Sequence, residues 1–196
     1  CIYDKMYPYW EEFNLKPITQ VGKRAVTYDT DFGKIGLATC FDVNFPHLWD
    51  ELANQGAELV LWSSAYSAGT SLQAHALNHH YYIVTSTLAR DCLAYDITGE
   101  LIHASQDPEI NIARLTCDLD RGIYHQNYNL EKLSRLLSET DGKIIQEKWL
   151  EQEQWFVLKA TFPGISARKT AKQYGLEELR DYLRRSRFMI DRMRKE

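Results

Sequence analysis

Short apolar runs alternate with amphipathic stretches along the first half of the chain. Five runs rich in β-branched and aromatic residues predict strands at 34–39, 57–62, 81–87, 93–97 and 112–118. Helical spacing of apolar positions predicts helices between several of them, at 46–55 and 71–80. The alternation of strand and helix favours an α/β layered fold. A hairpin-like turn at Thr98-Gly99 adds antiparallel pairing, so we expect a mixed β-sheet.

The pattern changes after about residue 120. Four leucines with helical spacing predict a helix at 130–139, and an apolar run at 155–158 is typical of a strand. A final amphipathic helix is predicted at 176–194. The simplest organisation is one domain at 1–120 followed by a C-terminal helical extension at 121–196.

Composition indicates an ordinary globular protein, because 44% of the 196 residues are hydrophobic and 26% are charged. No segment approaches the roughly 18–20 apolar residues that a membrane span needs. The four cysteines lack CxxC spacing and metal-type pairing, so we expect reduced thiols and no metal site.

The net charge of −4 is unevenly distributed. Residues 1–167 carry 13 Lys and Arg against 22 Asp and Glu, whereas residues 168–196 carry 10 against 5. The basic residues of the tail are interleaved with apolar ones, which favours a solvated basic helix face over nucleic-acid binding. Docking on a partner subunit also fits this pattern. We therefore expect neither a nucleic-acid nor a membrane partner.

One segment carries candidate chemistry. The apolar run at 35–39 ends in Cys40, a tight turn follows, and Pro46 opens a helix that Gly56 closes. A strand–elbow–helix holds a nucleophile exposed at a sheet edge. Turn amides and a helix N-terminus would favour the thiolate form of Cys40. The alternative is a buried cysteine that happens to end a strand.

Three segments resemble the nitrilase (carbon–nitrogen hydrolase) superfamily. The segment GKIGLATCFDVNFP at 33–46 is similar to the nucleophile segment of that family. Tyr3-Asp4-Lys5, followed by Pro8 and Glu12, is similar to its lysine segment, in which an acidic residue lies seven positions after the lysine. Residues 56–65 are similar to the next strand and its Ser-Ala loop. The resemblance extends from residue 2 to about residue 120.

The resemblance implies a fold, an activity and partners. Residues 1–120 would be the C-terminal portion of a catalytic domain, forming half of a layered αββα-type sandwich. The protein would hydrolyse a non-peptide carbon–nitrogen bond, in an amide or carbamoyl-amide rather than a nitrile, through a cysteine thioester. It would need no cofactor, act on a small-molecule amide and form a homo-oligomer, and we expect it to be cytoplasmic.

The resemblance also assigns roles to individual residues. Cys40 would be the nucleophile, and Lys5 would stabilise its thiolate and the oxyanion, together with the backbone N–H of Phe41. Glu12 resembles an accessory glutamate that positions catalytic groups, although the adjacent Glu11 could serve instead. The loop after the second strand would contribute to substrate binding through Ser64, Ala65 and Tyr66. Asp42 is interpreted as a structural carboxylate that bonds the amides of the elbow.

The sequence departs from the family pattern in three places. The general-base glutamate of the family lies upstream of the lysine, but only four residues precede Lys5 and none is Glu. We therefore expect either a piece of a longer protein or a catalytically silent scaffold. Ser63 replaces the usual proline before Ser64. His75 stands where many members carry arginine, and with His79 it is interpreted as part of a polar helix face rather than a metal site.

Overall fold

The computed structural model describes residues 1–16, 20–89, 91–105 and 112–195. The chain divides into two units, Cys1–Leu119 and Asp120–Glu196.

The first unit is built on a six-stranded sheet whose strands follow chain order. The strands are β1 (Thr27–Thr30), β2 (Gly33–Thr39), β3 (Leu59–Ser64), β4 (Tyr82–Thr87), β5 (Leu93–Tyr95) and β6 (Leu101–Ala104). The central strands β2, β3 and β4 are parallel, and the outer strands pair antiparallel. The predicted mixed sheet and the α/β class are confirmed.

Two helices connect the parallel strands and cover one face of the sheet. Helix α1 (Pro46–Asn54) lies between β2 and β3, and α2 (Gly69–His79) lies between β3 and β4. Their side chains form one core with alternate strand residues, including Ala38, Val60, Trp62 and Ile83. Helix α1 packs so closely on β2 that a Cβ at Gly36 would lie 2.9 Å from a methyl carbon of Leu52. Glycine at this position therefore sets the depth at which α1 packs.

The predicted strand at 112–118 is wrong. The structure assigns no strand there, and Ile112 is 81% exposed. Its β-branched residues suit a pleated surface, but a run of this kind forms a strand only beside another strand with a free edge. Strand β1 was not predicted, because its four residues are mostly polar and it depends on pairing with β2.

The second unit contains a small antiparallel sheet as well as helices. Its strands are β7 (Gly122–His125), β8 (Ile144–Leu150) and β9 (Trp155–Ala160), in the order β7-β9-β8. Its helices are α3 (Leu130–Glu139), α4 (Ala167–Gln173) and α5 (Leu179–Met193). The prediction of a helical extension was therefore incomplete, since it identified α3, α5 and part of β9 but neither β7, β8 nor α4.

Helix α5 begins three residues later than predicted. Gly175, at φ 77°, ends α4, and the amides of Gly175 and Leu176 bond back to the carbonyls of Lys172 and Ala171. This arrangement is a Schellman turn, so Leu176 belongs to the end of α4 rather than to α5. Along α5 the apolar positions Leu183, Met189 and Ile190 are about half exposed.

Among the described residues, no helix is both long and apolar enough to cross a membrane.

Candidate active site

Cys40 lies directly after the last residue of β2 and opens a short 3-10 turn, Cys40–Asn44, that leads into α1. The predicted strand–elbow–helix is therefore present. Its backbone is left-handed at Cys40, with φ 51°, a conformation that costs a non-glycine residue about 1–3 kcal/mol. The indole Nε1 of Trp62 donates a hydrogen bond to the Cys40 carbonyl at 3.2 Å and helps to hold the elbow. The cysteine residue is half-buried, and its sulfur is not part of a disulfide.

Asp42, two residues further on, is fully buried and accepts hydrogen bonds from both sides of the site. The amide of Thr39 and the phenol of Tyr3 donate to its Oδ2, each at 2.8 Å. The amide of Tyr7 donates to Oδ1 at 2.9 Å. Burial raises the pKa of Asp42, and the hydrogen bonds and the charge of Lys5 offset only part of that rise. Asp42 bonds an elbow amide, as the sequence indicated, and it also binds the N-terminal segment.

Lys5 forms an ion pair with Glu12, with 2.5 Å between Nζ and Oε2. The amide of Tyr9 donates to the same carboxylate oxygen at 2.5 Å. Partial burial acts to raise the pKa of Glu12, but the hydrogen bonds from Lys5 and Tyr9 outweigh it and the pKa lies below its ordinary value. The neighbouring Glu11 accepts instead from the side chain of Asn14. Of the two adjacent glutamates, the one that contacts Lys5 is thus Glu12.

The loop that carries Lys5 is held from its other side by Gly22. The Gly22 amide donates to the Lys5 carbonyl at 2.8 Å. A Cβ at Gly22 would lie 2.0 Å from the Asp4 carbonyl oxygen, so no other residue fits without moving the backbone. Sequence reasoning missed Gly22 and the bonding roles of Tyr3, Tyr7 and Trp62, although the aromatic residues on both sides of Lys5 were a visible signal.

The residues expected to bind substrate lie at the adjacent strand end. Thr39 of β2 pairs with Ser63 of β3, so Cys40 and the loop after β3 share the carboxyl edge of the parallel strands. Ser64 accepts a hydrogen bond from the Tyr66 amide at 3.1 Å, which stabilises the turn. Ala65 and Tyr66 are exposed.

Phe41 packs its ring into an aromatic cluster. Its ring lies edge-on to those of Tyr9 and Phe45, with 5.5 Å between centroids in each case. Tyr7 stacks on Phe45 with ring centroids 3.9 Å apart. The cluster therefore adds apolar contact between the N-terminal segment and the elbow, beside the hydrogen bonds to Asp42.

A pocket of about 390 Å³ opens beside the elbow. It is lined by Tyr3, Leu37, Ala38, Thr39, Leu61, Trp62, Ser63, Val84, Thr85 and Ser86. Leu37, Leu61 and Val84 alternate with residues that face the helices, so the pocket occupies the opposite face of the sheet. Its lining ends at Thr39, one residue before Cys40. A concave, mainly apolar surface therefore lies next to the strand end that carries Cys40.

His75 is buried rather than part of a polar helix face, so that interpretation was wrong. It is 9% exposed and stacks on Trp49 with ring centroids 4.3 Å apart. Its Nε2 carries the proton, because it donates to the Val43 carbonyl at 2.8 Å. Across the parts of the chain that the structure describes, no group of three His, Cys, Asp or Glu side chains could hold a metal ion.

Comparisons with known proteins identify relatives of the first unit. A family model described as carbon-nitrogen hydrolase matches residues 1–122. The deaminated glutathione amidase of Dictyostelium discoideum is 27% identical over 126 residues, which cover 56% of this chain and 43% of that protein. An omega-amidase of Xenopus laevis is 31% identical over 71 residues, covering 33% of this chain and 26% of that protein.

A solved structure, an amidase from Nesterenkonia sp., is 21% identical with a TM-score of 0.47, covering 53% of this chain and 44% of that one. This chain spans less than half the length of each of these relatives. The family model, however, matches well over half of the chain, including the cysteine elbow and the lysine segment. The chain belongs to the carbon-nitrogen hydrolase family.

Proposed function

We propose that this chain supplies the cysteine and lysine of an enzyme that hydrolyses a non-peptide carbon–nitrogen bond in a small-molecule amide. The observation that carries the proposal is the elbow: a half-buried thiol follows a parallel strand, and the segment with the Lys5–Glu12 ion pair is bonded to the same turn. The names of the relatives, deaminated glutathione amidase and omega-amidase, favour an amide over a nitrile.

In the proposed reaction the Cys40 thiolate attacks the amide carbon and forms a tetrahedral oxyanion. The ammonium of Lys5 and the backbone N–H of Phe41 stabilise that negative charge. The carbon–nitrogen bond then breaks, the nitrogen leaves as ammonia or an amine after taking up a proton, and a thioester remains on Cys40. Water attacks the thioester, which releases the carboxylic acid and restores the thiol.

Glu12 acts in this scheme by holding Lys5. Its carboxylate is fixed by the Tyr9 amide and lies 2.5 Å from Nζ, so it holds the ammonium in one orientation. In this proposal the loop with Ser64, Ala65 and Tyr66 contacts the substrate, and the strand edge that it shares with Cys40 supports that role.

The scheme needs a general base, and the residue that the family resemblance implies for it is not among these 196 residues. No glutamate precedes Lys5 in this chain. We assign the base to none of these residues. The second candidate function, a catalytically silent scaffold, follows from the same observation.

The deciding experiment measures ammonia release from a panel of ω-amides, carbamoyl-amides, simple aliphatic amides and nitriles. The 196-residue chain is compared with the product of the longest reading frame that contains it. We expect turnover of at least one amide by the longer product, its loss in Cys40→Ala, and its retention in the matched control Cys92→Ala. Turnover that survives Cys40→Ala would refute the assigned nucleophile. No turnover by any form would favour the scaffold.

We also propose that copies of the protein associate, as the family resemblance implies. Sedimentation of the longer product over a range of concentrations tests this, and a monomer at all concentrations would refute it.

A further inference from the structure

We propose that Asp42 is a positioning residue that holds Lys5 in place against the Cys40 elbow, an inference that rests on the roles proposed above for those two residues. Tyr3 and Tyr7 lie two residues before and two residues after Lys5, and both donate to the Asp42 carboxylate. The lysine therefore occupies the middle of a short loop that is tied to one carboxylate at both ends.

The same carboxylate is tied to the nucleophile. The Thr39 amide, in the residue before Cys40, donates to Oδ2 at 2.8 Å. Trp49 binds the backbone of the same turn, since its Nε1 donates to the Asp42 carbonyl at 3.0 Å. Asp42 is thus directly hydrogen-bonded to the lysine loop and to the strand that delivers the thiol.

The chemistry of these bonds requires a carboxylate rather than an amide. One backbone amide donates to each oxygen, Tyr7 to Oδ1 and Thr39 to Oδ2. An asparagine side chain has only one oxygen, and its NH2 group cannot accept. Whichever way the new side chain turned in an Asp42→Asn variant, one backbone amide would face a donor. Either the link to the loop or the link to the elbow would break.

Burial makes the loss of such a link consequential. Asp42 is 0% exposed, so water cannot replace a missing hydrogen bond at little cost. Burial and the nearby Asp42 carboxylate also raise the pKa of Tyr3, which keeps its phenol protonated and able to donate. The loop keeps other anchors, the Tyr7–Phe45 stack and the Gly22–Lys5 hydrogen bond. Asp42→Asn should therefore displace Lys5 without unfolding the unit.

The test measures the rate at which iodoacetamide alkylates Cys40 as a function of pH, with Cys1, Cys92 and Cys117 replaced by Ser in every variant. Under the role proposed above, the Lys5 ammonium favours the thiolate of Cys40, so Lys5→Met should slow alkylation at pH 7 roughly tenfold. If Asp42 acts by positioning Lys5, Asp42→Asn should slow alkylation and move its pH midpoint upward. It should have no further effect when added to Lys5→Met.

A purely electrostatic or structural role predicts other results. Removing the negative charge of Asp42 would by itself favour the thiolate, so alkylation would become faster and the midpoint would move downward. A general loosening of the fold would change the alkylation rate by the same factor with and without Lys5, giving additive effects. Either result would overturn the proposal. Asp29→Asn is the matched control, because Asp29 is an exposed carboxylate of the same unit whose side chain is 85% exposed.

A second variant covers the case in which Asp42→Asn fails to fold. Tyr3→Phe removes one donor and leaves the carboxylate in place, so it should move the alkylation midpoint in the same direction by a smaller amount, again only when Lys5 is present. An unchanged midpoint in folded Tyr3→Phe would overturn the proposal. Alkylation needs no substrate, so the two proposals can fail separately. If the effect of Asp42→Asn depends on Lys5 but no amide is hydrolysed, only the hydrolase function is refuted. If an amide is hydrolysed but the effect of Asp42→Asn does not depend on Lys5, only the role of Asp42 is refuted.

Discussion

The two faces of the central sheet differ sharply in burial. On the face covered by α1 and α2, Val60, Trp62 and Ile83 are at most 1% exposed. On the other face, Leu61 is 38% exposed, and Leu37 and Val84 are only half-buried. Parallel strands usually have both faces buried and read as continuous apolar runs. The strand sequences here read as such apolar runs, but only the face under α1 and α2 is fully buried.

This difference in burial indicates that the two faces of the strands have different roles. Apolar residues on the open face gain little from burial in the present structure, yet they surround the pocket beside Cys40. The family resemblance implies a sandwich of two sheet layers, and we expect the open face to receive the second. On that interpretation the covered face sets the stability of this unit, and the open face serves the site.

The largest effect is expected from truncating the covered face. Trp62→Ala removes a fully buried side chain and the hydrogen bond to the Cys40 carbonyl, and should cost about 3–5 kcal/mol of unfolding free energy. Its matched control on the open face, Leu61→Ala, should cost about 1 kcal/mol. Urea unfolding of both variants measures the difference. Equal losses would mean that the two faces contribute alike.

A smaller effect is expected at Gly36, where α1 packs on β2. An added Cβ would lie 2.9 Å from a Leu52 methyl carbon and 3.4 Å from one of Val60. Gly36→Ala should therefore cost about 1–3 kcal/mol through overpacking. Thermal unfolding measures this loss of stability. Gly164→Ala cannot serve as a control, because Gly164 has a positive φ. A stabilised Gly36→Ala variant would contradict the packing argument.

The unfolding free energy should depend on pH because of His75, a buried residue of α2. Burial lowers the pKa of His75, although the Val43 carbonyl and the charge of Asp50 act in the opposite direction. The unfolded chain therefore binds a proton below about pH 6.5 that the folded protein does not. The unfolding free energy should fall as pH drops from about 6.5, by at most about 1.4 kcal/mol per pH unit.

The control for that pH dependence is His75→Gln, which retains a donor for Val43 but does not titrate. Urea unfolding at pH 7.0 and 5.5 should show a smaller loss in this variant than in the wild type. Identical losses would assign the pH dependence to other groups.

The smallest effect is expected on the open face. Val84→Thr replaces a methyl by a hydroxyl of similar size where water is available, and should change the unfolding free energy by less than about 1 kcal/mol. Ile83→Thr, one residue earlier but on the covered face, should cost more because its hydroxyl is buried. In a longer product, equal losses of unfolding free energy in Val84→Thr and Ile83→Thr would show that a second layer covers the open face.

The part of the fold that sequence reasoning predicted correctly is governed by local signals. Strand β2 is an apolar run of the right length, and Pro46 occupies the first turn of α1, where its missing N–H costs nothing. The run at 112–118 carries similar residues, but whether it pairs depends on a neighbouring strand edge that the sequence cannot specify. Leu176 was placed in the wrong helix, because its helical spacing does not reveal the turn that Gly175 makes.

At the candidate site, too, the sequence indicated the residues of local motifs but not the long-range contacts. Cys40, Lys5 and Glu12 were found because each lies in a short motif, and their roles remain proposals. The bonds from Tyr3 and Tyr7 to Asp42 join residues 39 and 35 positions apart, and no local pattern indicates them. The same holds for Gly22, whose close approach to Asp4 depends on how the N-terminal loop folds back.

The left-handed backbone at Cys40 limits which amino acids can stand there. A side chain that branches at its first carbon is poorly tolerated at positive φ, so threonine and valine should be strained at this position. An engineered oxygen nucleophile would therefore have to be serine. The backbone conformation at this position thus restricts which reactive side chains it can carry, independently of the substrate.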